Sequence, residues 1–358
     1  MSKKVYVGMS GGVDSSVTAA LLVQKGYLVT GVYMKNWTKD LPGMVCPWEQ
    51  DYRDAKRVAV HLGIPFKVYD FEKEYRQLVV NYMVQGYQAG RTPNPDVMCN
   101  QEVKFKLFLK TALADGADFI ATGHYARIIE QRGSTSAKPI SRLAKAKDDN
   151  KDQTYFLYRV TRAALECSLM PIGDYRKPQV REIAKQLGLS TANKKDSQGI
   201  CFVGKVGIKD FLLAELGEQP HGKIIDQTGQ VIGEHDGAIF YTIGQRRGLN
   251  VGGGLPYYVT GKAMGRNEVY VTTDLQDELL WKDSLQLSQL HWINTRPEKG
   301  KVYEVRTRYR AALVPCAITI NADKSATLKL KEAIRAVTPG QSAVIYDGQW
   351  CLGGGIVV

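Results

Sequence analysis

The fold of this chain is decided by the stretch Val5-Tyr6-Val7-Gly8-Met9-Ser10-Gly11-Gly12-Val13-Asp14-Ser15-Ser16. Its apolar start predicts a buried strand, and Val17, Ala20 and Leu21 follow at helical spacing up to Gly26. Two adjacent glycines let the backbone approach a polyanion, and the first amides of the helix point positive charge at it. We therefore predict a strand, a phosphate-binding loop and a helix. A plain glycine turn is the alternative, and no Gly-Lys-Ser/Thr follows as in a Walker loop.

Length and composition set the class of protein. The chain has 358 residues, 44% of them hydrophobic, and a formal net charge of +12. This length can hold two or three domains, and the positive charge favours a polyanionic partner such as nucleic acid. No apolar stretch is long enough to span a membrane, and no signal peptide precedes the first strand, so we expect a cytoplasmic protein. The six cysteines form no CxxC pair, which disfavours a zinc ribbon.

The pattern of elements changes along the chain. Up to about residue 200, short apolar segments alternate with helical stripes, which predicts a parallel sheet covered by helices. The predicted strands after the first are 29–33, 66–69 and 119–122. Residues 130–150 are polar and are expected to form an exposed excursion. Short alternating runs with glycine turns follow from about 205, and from about 280 the pattern is all-β.

Two cysteines lie in loops that could carry chemistry. Cys99 ends the loop Thr92-Pro93-Asn94-Pro95-Asp96-Val97-Met98-Cys99, close to a predicted helix start, where a thiolate is favoured. Cys201 lies in Asp196-Ser197-Gln198-Gly199-Ile200-Cys201, just past the last predicted helix of the first domain. The pair suggests a relay in which one thiol carries sulfur and the other resolves the bond. Inert buried thiols are the alternative for both.

Three further segments carry binding hypotheses. Gly123-His124 follows a predicted strand, so a nucleotide could approach there, although a lone histidine after a strand is more often structural. Lys151-Asp152-Gln153 is either a solvated helix start or an RNA contact. The alternation from Tyr303 to Arg310 predicts a strand with Arg306, Arg308 and Arg310 on one face. This is either a solvated sheet face or, with Tyr309 beside it, a surface for phosphate contacts and stacking.

Together these segments resemble the bacterial tRNA-specific 2-thiouridylase family, within the ATP pyrophosphatases. The resemblance is carried by GMSGGVDSS at 8–16, TPNPDVMCN at 92–100, ATGHYAR at 121–127, KDQTYFL at 151–157, DSQGICF at 196–202 and YTIGQRRGL at 241–249. It implies ATP-dependent adenylation of the C2 oxygen of the wobble uridine in tRNAs for Lys, Glu and Gln. Sulfur then replaces that oxygen, giving 2-thiouridine, AMP and pyrophosphate.

The resemblance also implies roles for individual residues. Cys201 would carry the persulfide, and Cys99 would be the partner thiol, so that a transient Cys99–Cys201 disulfide forms. Asn94, Pro95 and Asp96 would contact the target base, with Asp96 a candidate acid or base. The tRNA would contact Lys151, Asp152, Gln153, Arg308 and Tyr309. ATP, with Mg²⁺ and no protein metal site, would be bound by Gly8, Met9, Ser10, Gly11, Gly12, Val13, Asp14, Ser15, Met34 and Gly123.

The implied fold is α/β: a Rossmann-like adenine-nucleotide α-hydrolase domain with a parallel sheet at 1–204, a small central α+β domain at 205–278, and a C-terminal β-barrel at 279–358. The implied partners are tRNA and a persulfide sulfur donor, either a sulfur-relay protein or a cysteine desulfurase. We expect a monomer and no membrane contact.

Other functions fit part of the same pattern. A different adenylating ligase or amidotransferase of the same superfamily, such as argininosuccinate or GMP synthetase, needs no pair of reactive cysteines. A nucleotide-dependent tRNA-binding protein without catalysis would bind both ligands and release no pyrophosphate. Thiolation through an iron–sulfur cluster would need about three cysteines at one site.

Overall fold

The computed structural model describes residues 2–41, 45–131, 139–196, 207–249, 251–252 and 254–358. Its strands form three sheets, one for each part of the chain in which the sequence pattern changes. No helix within these residues is long and apolar enough to cross a membrane.

The first sheet is parallel and has the strand order β3-β2-β1-β4-β7. Its strands are β1 (Lys4–Gly8), β2 (Leu28–Lys35), β3 (Phe66–Asp70), β4 (Phe119–Ala121) and β7 (Ser168–Leu169). The strands predicted at 5–9, 29–33, 66–69 and 119–122 are thus confirmed. The chain runs outward from β1 to β3 and returns on the other side of β1 as β4. The strand order therefore reverses between β1 and β4, which is where open α/β sheets bind ligands.

Helices cover this sheet. They are α1 (Val13–Gln24), α2 (Trp48–His61), α3 (Glu72–Tyr75), α4 (Asn81–Gln88), α5 (Pro95–Met98), α6 (Leu109–Ala114), α7 (Thr154–Leu157), α8 (Arg162–Glu166) and α9 (Lys177–Gln186). π-helical segments join α3 to α4 over Arg76–Val80 and α5 to α6 over Cys99–Phe108. The predicted end of α1 is confirmed, because Gly26 has φ +81° and the Tyr27 amide donates to Leu22 O.

A small mixed sheet follows, with the order β10-β11-β8-β9. Its elements are α10 (Ile208–Leu216), β8 (Gly222–Ile225), β9 (Val231–His235), β10 (Tyr258–Ala263) and β11 (Glu268–Thr272). Short 3-10 turns cover Ala238–Phe240, Met264–Arg266 and Glu278–Leu280. The predicted turn at Thr228-Gly229 is confirmed, since Gly229 has φ +85° between β8 and β9.

The C-terminal strands close into an antiparallel barrel in the order β12-β15-β14-β13-β16-β17, and β17 pairs back to β12. They are β12 (Trp281–Trp292), β13 (Val302–Arg306), β14 (Val314–Ile320), β15 (Ala326–Arg335), β16 (Ser342–Asp347) and β17 (Trp350–Val357). Closure depends on Gly353, which pairs with Trp292 and has φ +137°. A Cβ there would lie 2.9 Å from Trp292 Cα, so a side chain would force the strands apart.

Two sequence expectations are wrong. Residues 130–150 are not simply an exposed excursion: β5 (Arg127–Gln131) and β6 (Ile140–Ala144) form a hairpin, and Ala144 pairs with Trp350 of the barrel sheet. The alternating strand predicted from Tyr303 to Arg310 ends at Arg306. The following turn places Arg310 at φ +62°, so the three arginines do not share one strand face.

We expect Gly353→Ala to lower the stability of the barrel by about 3 kcal/mol, since it combines overpacking with an unfavourable positive φ. Gly348→Ala is the matched control, because Gly348 also has a positive φ (+58°) but nothing lies within 4 Å of its Cβ position. It should cost about 1 kcal/mol. Urea unfolding followed by tryptophan fluorescence measures both, and equal losses would contradict the closure argument.

Candidate functional site

The loop after β1 leaves the start of α1 open. Gly11 has φ +72° and lies against α2, where a Cβ would come within 2.9 Å of Asp51 Cα. Gly12 precedes α1, and its Cβ position has only Ser10 Oγ nearby, at 3.6 Å. No side chain of the described residues caps the first amides of α1. These amides and the helix dipole therefore remain available to an anion.

Gly123 and Met34 lie beside this loop. A Cβ on Gly123 would lie 2.7 Å from the Ser15 backbone nitrogen, so only glycine lets the end of β4 approach α1 this closely. Met34 Cε lies 3.0 Å from the Cβ position of Gly8. Both residues thus border the loop at the point where the strand order of the sheet reverses.

The carboxylate of Asp14, in the first turn of α1, is held by two side chains. Lys177 Nζ lies 2.7 and 2.8 Å from its two oxygens, and the Tyr125 hydroxyl donates to Oδ1 at 2.8 Å. Burial and the Asp14 charge raise the pKa of Tyr125, so the hydroxyl remains a donor. Lys177 is also the first residue of α9, where the helix dipole disfavours a cation.

Asp196 lies next to the ion pair of Asp14 and Lys177, and its carboxylate contacts three cationic side chains. Its oxygens lie 2.8 Å from Lys177 Nζ, 2.6 Å from Lys151 Nζ and 2.7 Å from an Arg181 nitrogen. Burial raises the pKa of Asp196, but the hydrogen bonds from Lys151 and Lys177 outweigh it and lower the pKa to about 2. The carboxylate is therefore ionised at neutral pH. Asp196 directly precedes the segment that contains Cys201.

The proline loop positions Asn94, Pro95 and Asp96 at the start of a helix. Asn94 Oδ1 accepts from the Val97 amide at 3.3 Å, and Pro95 is the first residue of α5. Cys99 is the C-cap of α5 and the first residue of the π-helical segment, so it lies more than one turn past the helix start at Asn94, where the free amides were expected to favour a thiolate. Its side chain is buried in the core, with the residue only 1% exposed.

The other two domains brace this loop at Thr92. The Thr92 amide donates to Pro339 O at 2.8 Å, and Gln341 Nε2 donates to Thr92 O at 3.0 Å. Its hydroxyl lies 3.2 Å from that of Thr242 in the central part of the chain. Gly340, with φ +92°, has no room for a Cβ, which would lie 2.9 Å from the Thr92 nitrogen. The barrel thus fixes the start of the proline loop.

Only part of the run Lys151-Asp152-Gln153 reaches the surface: Lys151 and Gln153 are partly exposed, whereas Asp152 is buried. Asp152 is 2% exposed, accepts from the Ala146 amide at 3.1 Å and pairs with Arg306 at 3.2 Å. Burial raises the pKa of Asp152, and the hydrogen bonds, which lower it, offset this only in part. A carboxylate in this position supports the run from inside and does not reach a nucleic acid. Gln153 joins the run to Tyr125 through two hydrogen bonds, at 2.8 and 2.9 Å.

Arg308 and Tyr309 lie in the turn after β13. Arg308 is exposed, and one of its terminal nitrogens donates to Ala336 O and lies 3.3 Å from Ile243 O. The Tyr309 ring packs at a tilt of 47° against Phe156, with the ring centres 4.7 Å apart, and the Arg310 guanidinium lies 5.0 Å from the Tyr309 ring centre. The turn therefore offers cations and an aromatic ring at the surface.

Two other sequence predictions have different outcomes. Cys201 lies outside the described residues, so its distance from Cys99 stays open. His124 is buried beside Thr122, with Nδ1 2.8 Å from the threonine hydroxyl. Burial and the nearby Lys104 charge lower the pKa of His124 well below its usual value. A neutral, enclosed histidine agrees with its structural interpretation.

Sequence reasoning missed Lys177, Arg181 and Tyr125, which surround Asp14 and Asp196. The only signal for Lys177 was a lysine at the start of a predicted helix, where it is out of place. Its partner Asp14 is 163 residues away in the sequence, so no local pattern indicates the pair.

Chemically, the described residues combine an open helix N-terminus, a cluster of paired lysine, arginine and aspartate side chains, and a loop leading to a buried thiol. No group of three or more His, Cys, Asp or Glu side chains that could hold a metal ion occurs among them. This arrangement suits the binding of a phosphate chain beside a second substrate at the proline loop.

Comparisons with known proteins agree with this organisation. Family profiles match residues 3–205 ("tRNA methyl transferase HUP domain"), 209–273 ("tRNA methyl transferase PRC-barrel domain") and 282–357 ("Aminomethyltransferase beta-barrel domain"). The chain is 45% identical over 357 residues to the tRNA-specific 2-thiouridylase MnmA of Bacillus cytotoxicus, covering 99% of this chain and 94% of the relative. It is 46% identical over 363 residues to the protein of that name from Methylobacillus flagellatus, covering 100% and 99%.

The ion pairs of Asp196 predict a pH-dependent contribution to stability. With a folded pKa of about 2 and an unfolded pKa near ~3.9, this contribution is complete above about pH 5 and is lost as the pH falls through ~4 towards ~2. The stability advantage of the wild type over Asp196→Asn should therefore shrink over that range, as measured by denaturant titration. Asp174→Asn is the control, at a carboxylate whose side chain is 75% exposed, and the stability of this variant should stay close to that of the wild type. A constant advantage down to pH 2 would contradict the assignment.

Proposed function

This chain belongs to the tRNA-specific 2-thiouridylase family, and we propose that it uses ATP and a persulfide to convert the wobble uridine of tRNA to 2-thiouridine. The proposed substrates are the tRNAs for Lys, Glu and Gln, which favours the cytoplasm as the compartment. The sulfur would come from a relay protein or a cysteine desulfurase. We further propose three domains, at 1–204, 205–278 and 279–358, in a monomeric enzyme.

The observation that carries this proposal is the uncapped N-terminus of α1 behind Gly11 and Gly12. The C2 oxygen of uridine is a very poor leaving group, so it must first be activated. We propose that it attacks the α-phosphate of ATP, which forms an adenylated uridine and releases pyrophosphate. Amides fixed around the phosphates stabilise the charge that develops in this step. Residues 8–15, with Met34 and Gly123 at the border, would hold the ATP.

Mg²⁺ fits this site as an ion that arrives with ATP. It usually binds through one or two carboxylates together with substrate phosphates, and Asp14 is the carboxylate at the loop. When bound, it would neutralise phosphate charge. Asp14 must then leave at least part of its hydrogen bonding to Lys177 and Tyr125.

Sulfur transfer would use the two loop cysteines. The Cys99 thiolate attacks the inner sulfur of the Cys201 persulfide, so the S–S bond of the persulfide breaks and a Cys99–Cys201 disulfide forms. The outer sulfur leaves with its electron pair, bonds to C2, and AMP departs with the original oxygen. A thiol reductant regenerates both cysteines. Because Cys99 is buried in the free protein, tRNA binding must expose it.

The proline loop would receive the target base. A base stacked in the anticodon must flip out before its C2 can be reached, and a rigid loop can hold it there. Asn94 and Pro95 are fixed by helix capping, and Thr92 is fixed by the barrel. Asp96 is the candidate acid or base at this position. Lys151, Gln153, Arg308 and Tyr309 are proposed to contact the tRNA, with Asp152 as their internal support.

Other functions are less well supported. The first family profile is named for a tRNA methyl transferase, but methyl transfer does not need the cleavage of ATP at a glycine loop. A synthetase that uses an amine would not need the relay cysteines. A protein that only binds tRNA and ATP would release no pyrophosphate.

Cysteine variants test the function directly. In an assay with unmodified tRNA, ATP and a persulfide donor, we expect Cys99→Ser and Cys201→Ser to form no 2-thiouridine, as measured by nucleoside mass spectrometry. Pyrophosphate release should continue, because adenylation precedes sulfur transfer. Cys167→Ser is the matched control, at a partly exposed thiol in the same domain, and should retain both activities. Wild-type levels of 2-thiouridine in either loop variant would overturn the relay.

The salt dependence of binding tests the surface at Arg308. We expect Arg308→Ala to weaken tRNA binding and to reduce the slope of log K against log salt by about 1, as for the loss of one phosphate contact. Lys329→Ala, at an exposed lysine of β15 paired with Asp283, should leave the slope unchanged. An unchanged slope in the arginine variant would exclude a phosphate contact there.

A further inference from the structure

Two side-chain routes connect the proposed tRNA contact at 151–153 to the loop proposed to bind ATP. The first runs from Lys151 to Asp196, at 2.6 Å, then to Lys177, at 2.8 Å, and on to Asp14, at 2.7 Å. The second runs from Gln153 through its two hydrogen bonds with the backbone of Tyr125, whose hydroxyl donates to Asp14. Both routes end on the same carboxylate.

We propose that Asp196 and Lys177 are positioning residues that make the binding of tRNA and of ATP mutually favourable. The proposal rests on the function proposed above, in which tRNA contacts Lys151 and Asp14 meets the Mg²⁺ that accompanies ATP. It assigns to Asp196 and Lys177 a role distinct from direct contact with either substrate.

The direction of the coupling follows from the charges. In the free protein, Lys151 and Lys177 share the Asp196 carboxylate, so each lysine weakens the attraction between Asp196 and the other lysine. A tRNA phosphate that takes Lys151 leaves Asp196 with Lys177 and Arg181. Lys177 is then attracted more strongly to Asp196 and less to Asp14. The Asp14 carboxylate becomes available to the incoming Mg²⁺, so tRNA binding promotes ATP binding.

The position of Lys177 is not explained by the stability of its own helix. It starts α9, where a cation is opposed by the helix dipole, and its side chain is only 11% exposed. Burying an ammonium group is costly unless it is paired. Lys177 meets that cost by contacting two carboxylates from separate parts of the chain, Asp14 and Asp196. Its location thus serves the connection between them.

Coupling between two ligands is reciprocal and is measured by binding alone. We would measure the Kd of Mg²⁺ with a non-hydrolysable ATP analogue, with and without saturating tRNA, by calorimetry. For the wild type we expect tRNA to lower this Kd at least about fivefold, and the analogue to tighten tRNA binding by the same factor. In Asp196→Asn we expect the Kd of the analogue with tRNA and the Kd without tRNA to agree within about twofold.

Three further variants make the test specific. Asp196→Glu keeps the carboxylate and should restore most of the coupling. Tyr125→Phe keeps the buried ring, removes the second route and should give an intermediate factor. Asp118→Asn is the matched control: Asp118 belongs to a separate ion pair of the same domain, 3.1 Å from Lys3, and its loss should leave the coupling intact.

The inference is overturned if wild-type protein binds the analogue equally well with and without tRNA, or if Asp196→Asn retains the full factor. Formation of 2-thiouridine is measured in parallel on the wild type. Product without coupling overturns this inference and leaves the proposed function standing. Coupling without product supports the inference and overturns the proposed function.

Discussion

The rest of the structure depends on the unsatisfied amide groups at the start of α1. Gly12 offers no side chain to cap them, and the hydroxyls of Ser15, Ser16 and Thr18 bond instead to backbone carbonyls behind them. A helix end without caps is stable when an anion or solvent satisfies it. The sheet order places this helix end at the strand reversal, and Gly123 lets the neighbouring strand approach it. The surrounding elements then supply charged side chains and the proline loop.

The charge around this helix end is balanced with little excess. Asp14 and Asp196 face Lys151, Lys177 and Arg181, and Asp148 accepts from the Lys177 backbone amide, so three carboxylates lie beside three cations. Such a cluster is paired in the free protein, and its cations can exchange a carboxylate for an incoming phosphate. Since its side chains are mostly about 30% exposed, solvent screens it, and small changes in partner can redistribute its contacts.

Much of the fold and part of the site could be predicted from the sequence because their signals are local. The glycine loop, the turn at Gly229 and the capped start of α5 each depend on neighbouring residues. The hairpin of β5 and β6 could not be predicted as part of the barrel sheet, because its partner Trp350 is about 200 residues away. Asp152 was expected at the RNA surface because it is a polar residue in a polar run. Its burial against Arg306 depends on a distant part of the chain and cannot be seen in the sequence. The partners of Lys177 are hidden for the same reason.

The shared sheet also has a consequence for how the chain is made. Ala144, in the hairpin, leaves the ribosome long before Trp350, its partner in the last strand. At typical rates of synthesis, roughly 5–20 residues per second, that interval is about 10–40 s. During this time the hairpin edge has no strand to pair with, and the proline loop lacks its brace from Pro339 and Gln341. The nascent protein therefore completes the support of its proline loop only at the end of translation.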